Sequence, residues 1–329
     1  MEVKNNSKAT NRKIEESMKK IHHDSYDNWV QNFAMNLDNI WKEPSAKEIT
    51  EVNESVLEKE KPSAIVIGRG PSLKKMNLLK LLSESNFKGK IVCCDGALID
   101  TLKAGVTPEK FPNFYVVTID PIEEVKKFYD EDIVDKYGSQ IKGIFTVISH
   151  PLVVERARKS GIKIYWMHTL FDYDEGKKSF NYISALLVRT KKHVNGLPAI
   201  QTGGNVGTSS WFVSWKILKC PKVILIGLNH GWEEDDSRET IIRHGLKHLS
   251  TNIKENDYNF EKLFPKIFNP DIKKYCVLDP IFQFYSTAFK EFISRAPSWV
   301  TTINATEGGS IFGKGIKSST FEEVLKNYD

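Results

Sequence analysis

Two glycine clusters in this chain stand where a phosphate group would be held. Residues 68–73 read GRGPSL directly behind the apolar run Ala64–Ile67, so a strand stops at Gly68 and Gly70 and a helical pattern opens at Pro71 and Ser72. Glycines let the backbone approach a ligand, and a helix start aims unpaired N–H groups and the positive end of its dipole at an anion. The second cluster, TGGNVGT at 202–208, also runs into a helical pattern. Its Gly203, Gly204, Asn205, Gly207 and Thr208 form another anion-cradling loop. Leu73 takes the place of the third glycine of the dinucleotide fingerprint, which argues against an ordinary NAD site.

Other chemistry-bearing residues follow apolar runs one after another: Asp95-Gly96, Asp120-Pro121, Ser149-His150-Pro151, His168 and Asn229-His230. In an open parallel sheet the strand carboxyl ends share one edge, and ligands bind in the crevice outside it. Asp95 sits about twenty-five residues past the first glycine turn, where a Rossmann acid meets a ribose hydroxyl; a helix cap suits it too. Asp120 is placed to hold a metal, accept a proton or bind a hydroxyl, with capping of a helix begun by Pro121 as its structural alternative. His150 is the candidate general acid or base, since imidazole titrates near neutral pH; a solvent-facing turn histidine is the alternative. His168 and His230 rank below it. Asn229 and Glu307 are candidate substrate contacts, Glu307 lying in the NATEGG turn at 304–309, where a loop ion pair is the competing role. His22, His23, His244 and His248 read as solvated surface. The 244/248 pair has helical metal-ligand spacing but no nearby acidic third ligand and no HExxH frame.

The elements that must position these residues alternate as in an α/β protein. Strand candidates are 64–67, 90–94, 114–119, 143–148, 162–166 and 222–226, with helical patterns at 73–82, 98–103, 123–129, 153–159 and 208–218 between them. The strands are continuous apolar runs, so helices are expected on both faces of a mostly parallel, Rossmann-like sheet. Three regions are expected: an N-terminal helical extension over 1–60, a nucleotide-binding core over 61–235, and a mainly helical C-terminal region over 236–329 that returns to the core with the NATEGG turn. Tyr26, Trp29, Phe33, Leu37, Ile40 and Trp41 recur at helical spacing in the extension, which would pack on its own core or on a second copy in a homo-oligomer. Trp211, Phe212 and Trp215 read as core packing.

Composition narrows the class further. A chain of 329 residues with 40% hydrophobic and 27% charged residues is globular, and a net charge of +5 suits anionic small substrates but does not call for nucleic acid. No apolar run is long enough to span a bilayer and the N-terminus has no signal-peptide core, which points to the cytoplasm. Cys93, Cys94, Cys220 and Cys276 match no metal spacing and read as reduced structural thiols.

In order, KPSAIVIGRGPSL, CCDGAL, YVVTIDP, TGGNVGT, VILIGLN and NATEGG resemble the MptE-like superfamily, over about residues 61–232 and a patch near 299–315. That group includes archaeal 6-hydroxymethylpterin diphosphokinases and motility-accessory-factor (Maf) flagellin glycosyltransferases, with a core similar to bacterial sialyltransferases. The resemblance implies a nucleotide-dependent transferase. In the favoured branch a CMP-activated, nonulosonic-type sugar passes to a hydroxyl on a protein, glycan or small metabolite. No metal is obligatory there, the glycine loops with Asp95 hold the donor, Asp120 contacts sugar or acceptor, and His150 is the base. In the alternative branch ATP donates a diphosphate, and Asp95 and Asp120 share Mg²⁺. A non-catalytic nucleotide-binding protein is the third reading. Asn229 stands where relatives commonly show an acid.

Overall fold

The computed structural model describes residues 25–51, 62–170, 179–191, 196–246 and 260–327. Its centre is a nine-stranded sheet. The strands are β1 (Ser63–Ile67), β2 (Lys90–Cys94), β3 (Phe114–Thr118), β4 (Lys142–Thr146), β5 (Lys163–Thr169), β6 (Ala199–Ile200), β7 (Lys222–Ile226), β11 (Thr301–Asn304) and β12 (Ile316–Ser318). They lie in the order β12-β11-β7-β1-β2-β3-β4-β5-β6, and every pairing is parallel. A second, antiparallel sheet orders β8 (Trp232–Glu233), β10 (Lys274–Val277) and β9 (Lys266–Asn269).

Period-two alternation sorts the strand residues into two cores. Ile65, Ile67, Ile91, Cys93, Val116 and Trp166 face one layer, and Ala64, Val66, Val92, Val117, Met167 and Leu225 face the other. Both faces are covered, so each strand is apolar throughout, as expected for a parallel sheet. Trp29, Phe33 and Ile40 of the helix over 25–42 are buried against the first layer, so this aromatic stripe serves its own chain's core. Trp211 and Phe212 are buried in the second layer and meet Phe289 and Phe292 of the helix Pro280–Ser294 at ring distances of 5.6 and 5.2 Å.

Two helical expectations change in detail. The pattern at 73–82 divides into Ser72–Lys75 and Leu78–Glu84, because Asn77 adopts a left-handed backbone with φ 51°. The segment Glu123–Phe128 winds as a 3₁₀ helix. All four cysteines are buried free thiols. His22, His23 and His248 lie outside the described residues.

Candidate functional site

After β1 the chain moves outward through β2 to β6, then returns to lay β7 on the opposite side of β1. The carboxyl ends of β1 and β7 therefore flank the topological switch point, where open α/β sheets bind ligands. A cleft of about 530 Å³ opens there. Gly68, Gly70, Pro71, Asp95, Asp120, Gly204, Asn205, Gly207 and Asn229 all line it, so the strand-end residues and both glycine loops meet.

The glycines of the first loop have a different job from the one expected. Gly68 N–H donates to Ile226 O at 2.9 Å and Gly70 N–H to Gly227 O at 2.7 Å, so these donors are spent within the protein. A Cβ on Gly68 would lie 2.5 Å from Gly227 O, and one on Gly70 would lie 2.0 Å from Asn229 Oδ1. Glycine is required because the β1 and β7 turns interlock, with the cleft as the result. Ser72 sits one layer behind: it is buried, and its hydroxyl donates to Asn229 Oδ1 at 2.9 Å. The NATEGG turn locks the same place from the other side. Gly309, with φ 77°, has Asn229 O 1.9 Å from where a Cβ would be, and Ser310 N–H donates to that carbonyl at 2.8 Å.

The second loop turns through Gly203 and Gly204, at φ 56° and 83°, into the helix Val206–Phe212. Asn205 caps it, accepting from Thr208 N–H at 2.8 Å and donating to the Thr208 hydroxyl at 3.0 Å. Thr208 is buried, and neither it nor Gly203 lines the cleft. Gly207 lies against Leu228, whose Cδ2 is 2.8 Å from a built Cβ. Val206 and Gly207 supply the first-turn N–H groups at the cleft wall, the groups that a helix leaves without internal acceptors.

Electrostatically the cleft floor is mixed. Asp95 is buried; its Oδ1 accepts from Gly96 N–H at 2.7 Å and its Oδ2 has no hydrogen-bond partner among the described residues. Burial first, then the Asp120 charge, pushes its carboxyl up to about 8, against the opposing pull of Gly96 N–H, the Thr118 hydroxyl and Arg69. Asp120 does not cap the next helix, whose N-cap is Ile122. Arg69, which the sequence reading passed over, is the only Lys or Arg among the described residues lining the cleft, and its guanidinium lies 4.9 Å from the Phe128 ring centre. Among the described residues no group of three His, Cys, Asp or Glu is arranged to hold a metal ion.

The far wall corrects the histidine assignments. His244, expected on solvated surface, lines the cleft, and its Nδ1 is 2.6 Å from Oδ2 of the fully buried Asp279. Asp279 also accepts from Trp232 Nε1–H at 2.7 Å and Phe282 N–H at 2.8 Å. His244 stacks on Phe282 at 4.8 Å and meets the Trp232 edge at 5.3 Å. His230 is buried among Phe282, Tyr285 and Phe289 with φ 41°, and burial pulls its imidazole down to about 4. Burial, then the Asp120 and Asp279 charges, raise the Tyr285 phenol well above its usual range.

Besides Ser72, Gly203 and Thr208, three further candidates do not reach the cleft. His150 caps the helix Pro151–Lys159, its Nδ1 accepting from Leu152 N–H at 3.3 Å. The N-terminal helix covers that stretch of the edge: Asn32 donates to Pro121 O and Ile148 O at 2.9 and 3.1 Å, and Asn36 to Ser149 O at 2.7 Å. His168 is buried within β5, and burial pulls it down to about 4. Glu307, with φ 57°, accepts from Phe321 N–H at 2.9 Å and faces a separate cavity of about 120 Å³.

Residues 31–235 match the family described as 6-hydroxymethylpterin diphosphokinase MptE-like. Among solved structures the chain is similar to the MAf glycosyltransferase from Magnetospirillum magneticum AMB-1, with a TM-score of 0.54 at 12% sequence identity. The likeness covers 81% of this chain but 36% of that one, so the chain spans little more than a third of that protein, and at this identity the likeness is one of fold. The search of curated proteins found no match. The family match takes in β1 to β7 and the turns that build the cleft: the chain belongs to the MptE-like family.

Proposed function

We propose that this chain is a nucleotide-dependent transferase that moves a sugar from a CMP-activated, nonulosonic-type donor to a hydroxyl acceptor. The carrying observation is the charge of the cleft: one arginine, Arg69, and the Asp120 charge lie beside Asp95, whose buried carboxyl keeps its proton at neutral pH. A single guanidinium matches the one negative charge of a nucleoside monophosphate diester, whereas a triphosphate would meet the Asp120 charge with several charges of its own. The Val206 and Gly207 N–H groups add two neutral donors for the same phosphate. Phe128, Trp232, Phe282 and Tyr285 supply ring faces for base and sugar. Asp120 would contact the sugar or acceptor. The Maf glycosyltransferase likeness in fold supports this branch of the family.

One observation keeps the diphosphokinase reading: Asp95 Oδ2 is buried without a partner beside Asp120, so these two carboxylates would hold Mg²⁺ and screen the phosphates of ATP. Thermal stabilisation by CMP, CDP, CTP, AMP and ATP, each with and without Mg²⁺, separates the readings. Stabilisation by CMP or CTP without metal is expected. A response confined to ATP with Mg²⁺ would replace sugar transfer by diphosphate transfer, and indifference to every nucleotide would remove both.

A further inference from the structure

We infer that His244 and Asp279 form an acid–base dyad in which His244 Nε2 takes the proton of the acceptor hydroxyl. The assignment rests on the proposed transfer to a hydroxyl, and its geometry stands apart from that reading. A carboxylate oxygen can only accept, so the 2.6 Å contact places the proton on His244 Nδ1 and leaves the lone pair on Nε2. His244 lines the cleft, so Nε2 is the nitrogen left for a ligand. The ring is held on three sides, by Asp279 at Nδ1, the Phe282 face and the Trp232 edge.

Asp279 is itself fixed before it touches His244. It caps the helix Pro280–Ser294 through Phe282 N–H and receives Trp232 Nε1–H, with none of its surface exposed. The carboxylate therefore cannot swing to solvent, and the imidazole cannot turn its other nitrogen inward without losing this partner. Asp279 is the positioning residue and His244 the catalytic one. In the transfer, the acceptor oxygen bonds to the anomeric carbon as its proton passes to Nε2. The bond from that carbon to the donor phosphate oxygen breaks, and the nucleoside monophosphate leaves with the electron pair. The proton balances the extra negative charge on the departing phosphate. His150, capping a helix away from the cleft, is not needed for this step.

Two measurements test the dyad. Long-range ¹⁵N–¹H correlation on wild type and His244→Gln identifies the His244 signals, and protonated Nδ1 with unprotonated Nε2 is expected at pH 8. The reverse tautomer overturns the dyad whatever the donor proves to be. Turnover of CMP-sugar is then compared in wild type, His244→Ala and Asp279→Asn. The expected result is a kcat loss of about 100-fold in His244→Ala with donor KM nearly unchanged, partly restored by added imidazole. The amide in Asp279→Asn keeps a cap acceptor but cannot hold the tautomer, so this variant should lose kcat while still binding CMP. A wild-type kcat in His244→Ala, or a loss that imidazole does not restore, overturns the dyad. An inactive wild type that also fails to bind CMP overturns the functional reading instead.

Discussion

Replacing Asp95 by Asn should stabilise this protein, and by an amount that grows with pH. Asp95 is 3% exposed, and its folded-state carboxyl is raised from 3.8 to about 8 by burial and by the Asp120 charge. The native protein thus holds a proton that the unfolded chain releases. Below about pH 4 both states are protonated and the side chain costs nothing. Between about pH 4 and 8 the unfolded chain ionises while the native state keeps its proton, so stability drains away across that window and levels off above 8, where the native state buries a charge beside another. The rise from 3.8 to about 8 sets a ceiling of about 6 kcal/mol, at roughly 1.36 kcal/mol for each tenfold change in proton affinity. Relaxation and water entry reduce it, so about 2 kcal/mol is expected at pH 9. For 329 residues the unfolding entropy is roughly 0.7 kcal/mol per degree, which makes this a rise of about 3 °C in Tm. Asn retains an oxygen for Gly96 N–H and turns an amide toward the place of the unpartnered Oδ2. Urea unfolding of both proteins at pH 5, 7 and 9, followed by tryptophan fluorescence, measures the difference. A gap that stays flat with pH, or a less stable Asn variant at pH 9, would refute the argument.

Other perturbations have equally definite outcomes. His168 and His230, each pulled from 6.5 to about 4 by burial, stay neutral in the fold while the unfolded chain takes up protons, so stability is full above pH 6.5 and is lost as pH falls toward 4. His168→Gln should flatten that acid slope by up to about 3 kcal/mol in urea melts; an unchanged slope would rule out the site. Gly70→Ala must push the β1 and β7 turns apart, since its Cβ would sit 2.0 Å from Asn229 Oδ1 and 2.6 Å from Gly227 O. It should cost about 2 kcal/mol or more and weaken CMP binding, both checked by unfolding and calorimetry. Arg69→Lys keeps the charge but loses the planar fork and the Phe128 contact, so the Kd for CMP should rise about 10-fold. An unaltered Kd would take Arg69 out of the phosphate site.

Much of the fold was legible because parallel strands buried on both faces are continuous apolar runs; β1 to β5 and β7 all stand within a few residues of those runs. The pair β6 and β12, two and three residues long, has no run to read and exists through its neighbours. The strand-end rule brought Asp95, Asp120 and Asn229 to one cleft, yet it also selected His150. All four follow strands along one edge, but the asparagines of the N-terminal helix close that edge beside β4. His244 read as solvated surface because nothing local marks its partner: Asp279 is 35 residues away, on another element.

The GRGPSL and TGGNVGT segments carry in their own residues a strand, a turn and a helix start, since backbone propensity and apolar period are local properties. What those glycines are for is not local. Gly68 and Gly70 are small because Gly227 and Asn229, more than 150 positions later, lie against them, and only the parallel pairing of β1 with β7 brings the two turns into contact. The folded chain brings Arg69, His230 and His244 to the lining of one cleft. Pairing, burial and charge proximity depend on distance in space, and the tertiary structure alone set those distances.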